Sequence, residues 1–144
     1  MNISNRSRYG LRAIVYIASK RDEKVSIKEI SEKEDIPKRY LEQIFAELKK
    51  GDIIKSIKGT KGGYFLSNTA KETTVGQVLR ILEGTLDVLE GGMKELHEED
   101  GIEFTLINNV WNKMSDALYE AVDNITIADI VEKYNETNQI MYYI

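Results

Sequence analysis

The sequence predicts a mainly α protein with a small β-hairpin, built as a winged helix-turn-helix domain followed by a long dimerisation helix. Three observations support this prediction. A short helix with clear ends is followed at once by a hairpin pattern with a glycine-rich tip. The front half of the chain is basic and the back half is acidic. A later stretch places large apolar residues at alternating steps of three and four.

Composition limits the chain to one functional unit without thiol chemistry. Its 144 residues are 42% hydrophobic, which suffices for one ordinary core with an appended helical arm. The absence of cysteine excludes disulfides, thiolate nucleophiles and cysteine-ligated metal clusters. No apolar run approaches the roughly 20 residues of a membrane span, and the N-terminus lacks a secretory pattern. We therefore expect a cytoplasmic protein with no membrane partner.

The net charge of −4 hides a marked asymmetry. Residues 1–67 hold 15 Lys and Arg against 9 Asp and Glu, a net of +6. Residues 68–144 hold 5 against 15, a net of −10. A basic half joined to an acidic half fits a DNA-binding unit that carries a separate part for dimerisation or sensing.

The first helix is predicted from Ser4 to about Lys20 and is apolar enough to be central in the fold. Its N-terminal end carries Arg6, Arg8 and Arg12, where the helix dipole disfavours cations. A DNA phosphate there would gain from the arginines and from free backbone N–H groups. We interpret this end as a clamp on the DNA backbone, with solvated surface charge as the alternative.

Two short helices joined by a tight connection come next, as in a helix-turn-helix. Ser26 and Glu29 form a capping box that starts the second helix, which runs to about Lys33. Pro37 suits the first position of the third helix, and Gly51 supplies a left-handed stop. The run 53–58, the loop 59–63 and the run 64–66 then predict a hairpin with a basic tip.

A second capping box, Thr74 with Gln77, opens a helix that ends at Glu83 and Gly84. The glycines and acidic run that follow indicate a mobile segment. We therefore divide the chain into a DNA-binding domain at 1–84, a flexible linker or effector region at 85–102, and a dimerisation helix with C-terminal segment at 103–144.

The apolar residues from Glu103 onward predict a helix with a heptad seam. About three heptads are too few to stand alone, so the helix should pair with its copy in a homodimer. Packing against the first helix of the same chain is the alternative. The predicted dimer interface consists of Phe104, Ile107, Trp111, Met114, Leu118, Ala121 and Ile125.

The C-terminal end should form one more helix and a docked tail. Thr126 with Asp129 starts a short helix through Tyr134. The tail 140–144 is too apolar to remain in solvent, so it should dock on this chain, on its mate or on another protein.

Five stretches resemble successive signatures of the Rrf-type winged-helix transcription regulators, and the resemblance covers nearly the whole chain. They are Arg8–Ala13, Tyr40–Ile44, Lys55–Gly59, Gly62–Tyr64 and Leu82–Gly84. That family includes iron–sulphur cluster regulators, nitric-oxide-sensing repressors and cysteine metabolism repressors. The resemblance implies a homodimeric repressor that binds double-stranded DNA at a palindromic operator through its third helix and wing.

Carried onto this sequence, the resemblance implies base contacts from Tyr40, Glu42 and Gln43, minor-groove contact from the wing, and backbone contact from the arginines of the first helix. Glutamine can pair with adenine, and glutamate can accept a hydrogen bond from cytosine. The full set predicted to bind DNA is Arg6, Arg8, Lys38, Arg39, Tyr40, Glu42, Gln43, Lys58, Gly59, Thr60, Lys61 and Gly62.

The sequence departs from cluster-binding members of that family at 85–102, where they hold three cysteines and this chain holds none. We therefore expect no cofactor, and we interpret the single histidine, His97, as a solvated residue. The lack of cysteines and the ending 141–144 resemble the cysteine metabolism repressors. That resemblance implies control of cysteine or sulphur metabolism, with cysteine synthase as a candidate partner.

An enzymatic function has little support in the sequence. It contains no His, Cys and Ser constellation, and the loop 59–63 lacks the strand-then-helix context of a nucleotide-binding loop. The remaining alternative is a winged helix used only for protein contact. Salt separates the two functions, because DNA binding weakens steeply with ionic strength and an apolar interface barely responds.

Overall fold

A computed structural model describes residues 2–89, 99 and 101–142. The elements follow in the order α1 (Asn5–Ser19), α2 (Ile27–Glu34), α3 (Lys38–Lys50), β1 (Ile54–Ile57), β2 (Gly63–Leu66), α4 (Val75–Leu82), α5 (Gly101–Leu106), a π-helical turn (Ile107–Trp111), α6 (Asn112–Asp123) and α7 (Ile127–Tyr142). The mainly α fold with a small hairpin and a winged helix-turn-helix, predicted from the sequence, is confirmed. None of the helices within the described ranges has the length and apolar character needed to cross a bilayer.

Helix α1 is the centre of the fold, as its apolar sequence predicts. It packs against α2, α3, α4, α7 and β2. Ala13 and Ile14 are fully buried, and Ile17 is nearly so. From α3 the core receives Leu41, Ile44 and the ring of Phe45, which lies edge-on to Tyr64 of β2 at 4.7 Å.

Strands β1 and β2 form the predicted antiparallel hairpin, with Ile54 opposite Leu66 and Ile57 opposite Gly63. A third backbone segment joins them, which the sequence analysis did not predict. The Val25 N–H donates to the Tyr64 carbonyl at 3.0 Å, and the Tyr64 N–H donates to the Val25 carbonyl at 2.7 Å. This pairing covers part of the outer edge of β2 and fixes the base of the wing to the start of α2.

Three details at the helix ends differ from the predictions. Ser26 caps α2 by accepting from the Glu29 N–H, but the Glu29 carboxylate accepts from the Tyr16 hydroxyl at 2.6 Å. Glu29 therefore contacts α1 instead of completing the predicted capping box. Pro37 is the N-cap of α3 and not its first helical residue. Gly51 has a φ of −81°, so the predicted left-handed stop is wrong at this position.

The left-handed residue after α3 is Asp52, with a φ of 59°. A Cβ at Gly51 would overlap the end of the Ile81 side chain on α4, so a larger residue here would push that side chain aside. The glycine therefore permits the close approach of α3 and α4 rather than an unusual backbone conformation.

The predicted long helix is present from 101 to 123, but its heptad seam is interrupted. The Asn112 N–H donates to the carbonyl of Ile107, five residues earlier, which makes the turn from Ile107 to Trp111 π-helical. One turn of this kind accommodates an extra residue in an α-helix. The prediction of an unbroken seam is therefore wrong, since side chains before and after the turn leave the regular heptad phase.

The C-terminal helix α7 begins as predicted, because Thr126 and Asp129 exchange side-chain and backbone hydrogen bonds of 3.0 and 3.1 Å. It extends to Tyr142 instead of ending at Tyr134. Ile140 and Met141 near its end are 62% and 70% exposed, so they are not docked on this chain. Tyr143 and Ile144 lie outside the described residues.

The predicted linker falls partly outside the described residues, which omit 90–98 and 100 and so also His97. The segment 85–89 is hydrogen-bonded to α6, because the Leu86 N–H donates to the Tyr119 hydroxyl and the Val88 N–H donates to the Ser115 hydroxyl, both at 2.9 Å. At the other end, α5 already begins at Gly101. The division at 84 and 102 stays a prediction.

Candidate DNA interface

The outward face of α3 carries the polar residues that the sequence analysis assigned to DNA. Leu41, Ile44, Phe45 and Leu48 fill the core, which leaves the opposite face of the helix to solvent. All five of the predicted contact residues on this helix are exposed: Lys38, Arg39, Tyr40, Glu42 and Gln43. Exposed side chains on one helical face are what major-groove binding requires, and their contacts with bases stay a prediction.

Tyr40 is the large aromatic residue of this face, with 39% of its surface exposed. Its ring lies edge-on to the ring of Tyr9 on α1, with centroids 5.5 Å apart and an interplanar angle of 89°. The Arg12 guanidinium lies 5.8 Å from the Tyr9 ring centroid. Tyr9 therefore supports the Tyr40 ring from α1, and no local sequence pattern predicts this contact.

The wing presents its basic tip beside α3. Lys58, Gly59, Thr60 and Lys61 are exposed, and Gly62 is half-buried. A side chain at Gly62 would overlap the Ile57 carbonyl, so this glycine allows the loop to close tightly. The tip can therefore approach a phosphate or a minor groove without obstruction from bulky side chains.

A hydrogen bond joins the recognition helix to the wing. The Lys49 ammonium in the last turn of α3 donates to the Ser56 hydroxyl on β1 at 2.7 Å. The sequence analysis did not assign this role to Lys49 or Ser56. The contact links the end of the recognition helix to the wing, and it uses one of the hydrogen-bond donors of the Lys49 ammonium within the protein.

At the start of α1, where the sequence predicts a clamp on the DNA backbone, a carboxylate of the same chain accepts hydrogen bonds, and the clamp itself stays a prediction. Glu83 accepts hydrogen bonds from the Ser7 hydroxyl, from the Ser4 hydroxyl at 2.7 Å and from the Ser4 N–H at 3.4 Å. These hydrogen bonds, first from Ser7 and then from Ser4, hold the pKa of the Glu83 carboxyl below its ordinary value. The anion that α1 favours is therefore supplied by the end of α4.

Two of the three N-terminal arginines have acidic partners. Arg6 forms an ion pair with Glu47 on α3. Arg12 donates to the backbone carbonyl of Glu34, and its Nε lies 3.5 Å from the Glu34 carboxylate.

Arg8 is exposed and contacts Asn5 at 3.4 Å. DNA-backbone contact from Arg6 and Arg8 stays a prediction, and Arg8 has the more accessible guanidinium of the two.

The predicted dimer-interface residues do not share one environment. Ile107 is 6% exposed and thus buried within this chain, so it has little surface left for a partner. Phe104, Trp111 and Leu118 are half-buried, whereas Met114, Ala121 and Ile125 are exposed. Their role in dimerisation stays a prediction.

The structure shows a second apolar row that the heptad pattern missed. Ile102, Leu106, Val110 and Met114 are spaced by four residues and are 81%, 37%, 36% and 42% exposed. The π-helical turn explains the omission, because it widens the spacing of residues that share a face.

This chain has few of the side chains that usually bind iron. It has no cysteine and one histidine, and the described residues contain no group of three or more potential His, Cys, Asp and Glu ligands. These residues do not fit a cysteine-ligated iron–sulphur cluster, whose irons are held by thiolates.

Comparison with known proteins gives a consistent result. Residues 3–133 match the Rrf2 family, which is described as iron-dependent transcriptional regulators. The HTH-type transcriptional regulator CymR of Bacillus subtilis is 32% identical over the full length of both chains.

Solved structures agree with this match. The structure of CymR, the global cysteine regulator of B. subtilis, superposes with a TM-score of 0.77 at 28% identity, covering 92% of this chain and 98% of that one. IscR of T. potens superposes with a TM-score of 0.75 at 30% identity, covering 95% and 90%.

Proposed function

Because this chain belongs to the Rrf2 family of transcriptional regulators, we propose that it represses its target genes as a homodimer bound to a palindromic DNA operator. The chain is a DNA-binding transcriptional regulator, and the proteins that it resembles are regulators rather than enzymes. The observation that carries the proposal is the exposed polar face of α3 beside the basic tip of the wing.

In this proposal, each part of the surface has a different task. The residues of α3 from Lys38 to Gln43 would enter the major groove, where base edges distinguish all four base pairs. The tip from Lys58 to Gly62 would follow the backbone or the minor groove. Use of the winged helix for protein contact alone is not favoured, because that use does not explain the charge asymmetry or the family.

We further propose that the regulated genes serve cysteine or sulphur metabolism. The similarity to CymR over the whole chain supports this assignment, since a solved structure of that protein describes it as a global cysteine regulator. Cysteine synthase is the proposed protein partner. Adding purified cysteine synthase to the binding reaction tests this part, and an unchanged operator affinity would contradict it.

The chain would act in the cytoplasm without an iron–sulphur cluster, although its family is described as iron-dependent. The absence of cysteine supports this proposal, because thiolates are the ligands of such clusters.

Selection of bound fragments from sheared genomic DNA, followed by footprinting, tests the DNA-binding function. We expect a footprint with dyad symmetry whose half-site centres lie about one or two helical turns apart. Affinity for the selected duplex should fall steeply between low and moderate salt, because bound Lys and Arg release counterions. A footprint without dyad symmetry would contradict the homodimer, and salt-independent binding would contradict phosphate contact.

The variant Gln43→Ala separates base reading from general attraction to DNA. Gln43 is exposed on α3 and carries no net charge, so its loss should reduce the preference for the selected duplex over random DNA by about tenfold. The salt dependence should not change. Asn135→Ala on α7 is the matched control, because it removes an exposed amide from the acidic half of the chain.

A further inference from the structure

Glu83 makes contacts within the protein that are separate from the proposed DNA contacts. It ends α4, yet its carboxylate reaches α1, where it accepts from the hydroxyls of Ser4 and Ser7, and Ser7 is fully buried. The charged groups next to this carboxylate are Arg6 on α1 and, through it, Glu47 on α3. A half-buried carboxylate with three hydrogen bonds is costly to displace, so it fixes α4 to the start of α1.

The same cluster extends to the recognition helix. Arg6 lies one residue before Ser7 on α1 and forms its ion pair with Glu47 of α3. Glu47 is half-buried and lies one turn after Gln43, which we assign to base contact. The position of the α1 start therefore influences the orientation of α3 through a direct contact.

The residues after Glu83 connect it to α6. Gly84 has a φ of 83°, a conformation that favours glycine and turns the chain sharply. The Tyr119 hydroxyl on α6 then accepts from the Leu86 N–H at 2.9 Å and shares a hydrogen bond of 3.2 Å with Thr85.

Tyr119 is itself held in place on α6. The Arg80 guanidinium lies 5.0 Å from the Tyr119 ring centroid and donates to the Asp123 carboxylate at 2.8 Å. These contacts join α6 to α4 and to the segment that follows Glu83.

We propose that Glu83 is a positioning residue for DNA binding, which makes the orientation of α3 depend on the position of α6. This inference rests on the proposed function, because α6 belongs to the dimerisation part and α3 to the DNA-binding part. Any partner or dimer contact that displaces α6 loosens the hydrogen bonds of Ser4 and Ser7 and shifts the recognition helix. The connection is a chain of direct contacts, and its physical proof is an energetic coupling between its two ends.

A double-mutant cycle measures that coupling. Tyr119→Phe removes the hydroxyl on α6, and Ser7→Ala removes a hydroxyl at the start of α1, with no change of charge in either variant. We expect each variant to weaken affinity for the selected duplex by about fivefold. The double variant should also lose only about fivefold, because either change already breaks the connection. Losses that multiply in the double variant, or single variants with unchanged affinity, would overturn the proposal.

Amide hydrogen exchange without DNA gives an independent measurement. Tyr119→Phe should speed the exchange of the Ser7 and Arg8 amides, which lie far from residue 119 in sequence. Tyr134→Phe is the control, because that tyrosine is 47% exposed on α7 and lies outside this network. Unchanged exchange at α1 would overturn the coupling and leave the proposed function intact, whereas failure of the wild-type protein to bind any DNA would overturn the proposed function and, with it, the positioning role of Glu83.

Discussion

Single residues decide which cations of this chain can reach DNA. Arg6 and Arg12 are held by Glu47 and Glu34, so part of the charge of the basic half is already used within the protein. Lys58 is exposed at the tip of the wing. The three N-terminal arginines are close together in sequence. Only the fold shows that two of them pair with acidic residues of α2 and α3.

The first prediction concerns Lys58. Lys58→Ala should weaken binding to the selected duplex and lower the slope of log affinity against log salt by about one unit, because one phosphate contact is lost. Lys133→Ala is the control, since this lysine is highly exposed on α7 and pairs with Glu136. Titrations at four or more salt concentrations measure both slopes, and an unchanged slope for Lys58→Ala would reject wing contact.

The second prediction concerns acid stability. The pKa of Glu83 is lowered in the folded protein by its hydrogen bonds from Ser7 and Ser4. The charged form therefore stabilises the fold above the ordinary glutamate pKa, and this contribution is lost as the pH falls through the lowered value. Glu83→Gln should be less stable than the wild type at neutral pH, and the difference should shrink in acid.

Denaturant unfolding at several pH values between neutral and strongly acidic measures this dependence. Glu136→Gln is the control, since it removes an exposed carboxylate from α7. Asp123 and Asp129 also have lowered pKa values, and they contribute equally to the wild type and to both variants. A constant difference between Glu83→Gln and wild type at all pH values would contradict the assignment.

At the scale of secondary-structure elements, the wing depends on glycine for two separate reasons. Gly63 has a φ of 143°, and a Cβ there would lie 2.8 Å from the carbonyl oxygen of Val25. Gly59 has a φ of 117° but open space around it. The first glycine permits the pairing of β2 with Val25, and the second permits only the turn.

The third prediction compares these two glycines. Gly63→Ala should destabilise the protein by about 3 kcal/mol, from backbone strain and from overlap with fixed backbone atoms of Val25. Gly59→Ala should cost about 1 kcal/mol, from backbone strain alone. Thermal or denaturant unfolding of the two variants measures the difference. Equal costs would show that the Val25 pairing does not constrain the wing.

Most elements could be predicted from local sequence, and the exceptions share a physical cause. The capping box of Thr74 and Gln77 and the presence of the hairpin follow from neighbouring residues, so they were predicted correctly. Beyond Tyr134, α7 continues through the exposed polar residues 135–139 without an apolar period, so its full length could not be predicted from the sequence. The exposed face of α3 could likewise be predicted, whereas Glu83 meets Ser7 from 76 positions away, and no local pattern encodes that contact.

At the scale of the whole molecule, exposed apolar residues on the acidic half point to self-association. The row formed by Ile102, Leu106, Val110 and Met114 extends through the π-helical turn, and water would cover it in a monomer. A partner copy with the same row could bury it symmetrically. Two basic units would then face the same side of a DNA duplex.

The fourth prediction tests this arrangement with Met114→Lys. Met114 is 42% exposed, so the variant should fold, but its charge would be buried in the dimer. We expect a monomer by light scattering and at least a tenfold loss of affinity for the selected duplex, because one half-site binds alone. Lys113→Ala at the neighbouring exposed position should remain dimeric. A Met114→Lys dimer of normal affinity would exclude this row from the interface.

The π-helical turn between α5 and α6 has a consequence for how such a protein can change. Rewinding the turn between 107 and 111 into a regular α-helix with every residue kept would swing Ile102 and Leu106 by about 100° around the axis, away from the side on which Met114 lies. The angle at which two copies meet would then change, and with it the spacing of the sites they bind. Substitutions that favour one winding of this turn over the other could therefore retune operator geometry while every base-contacting side chain stays as it is.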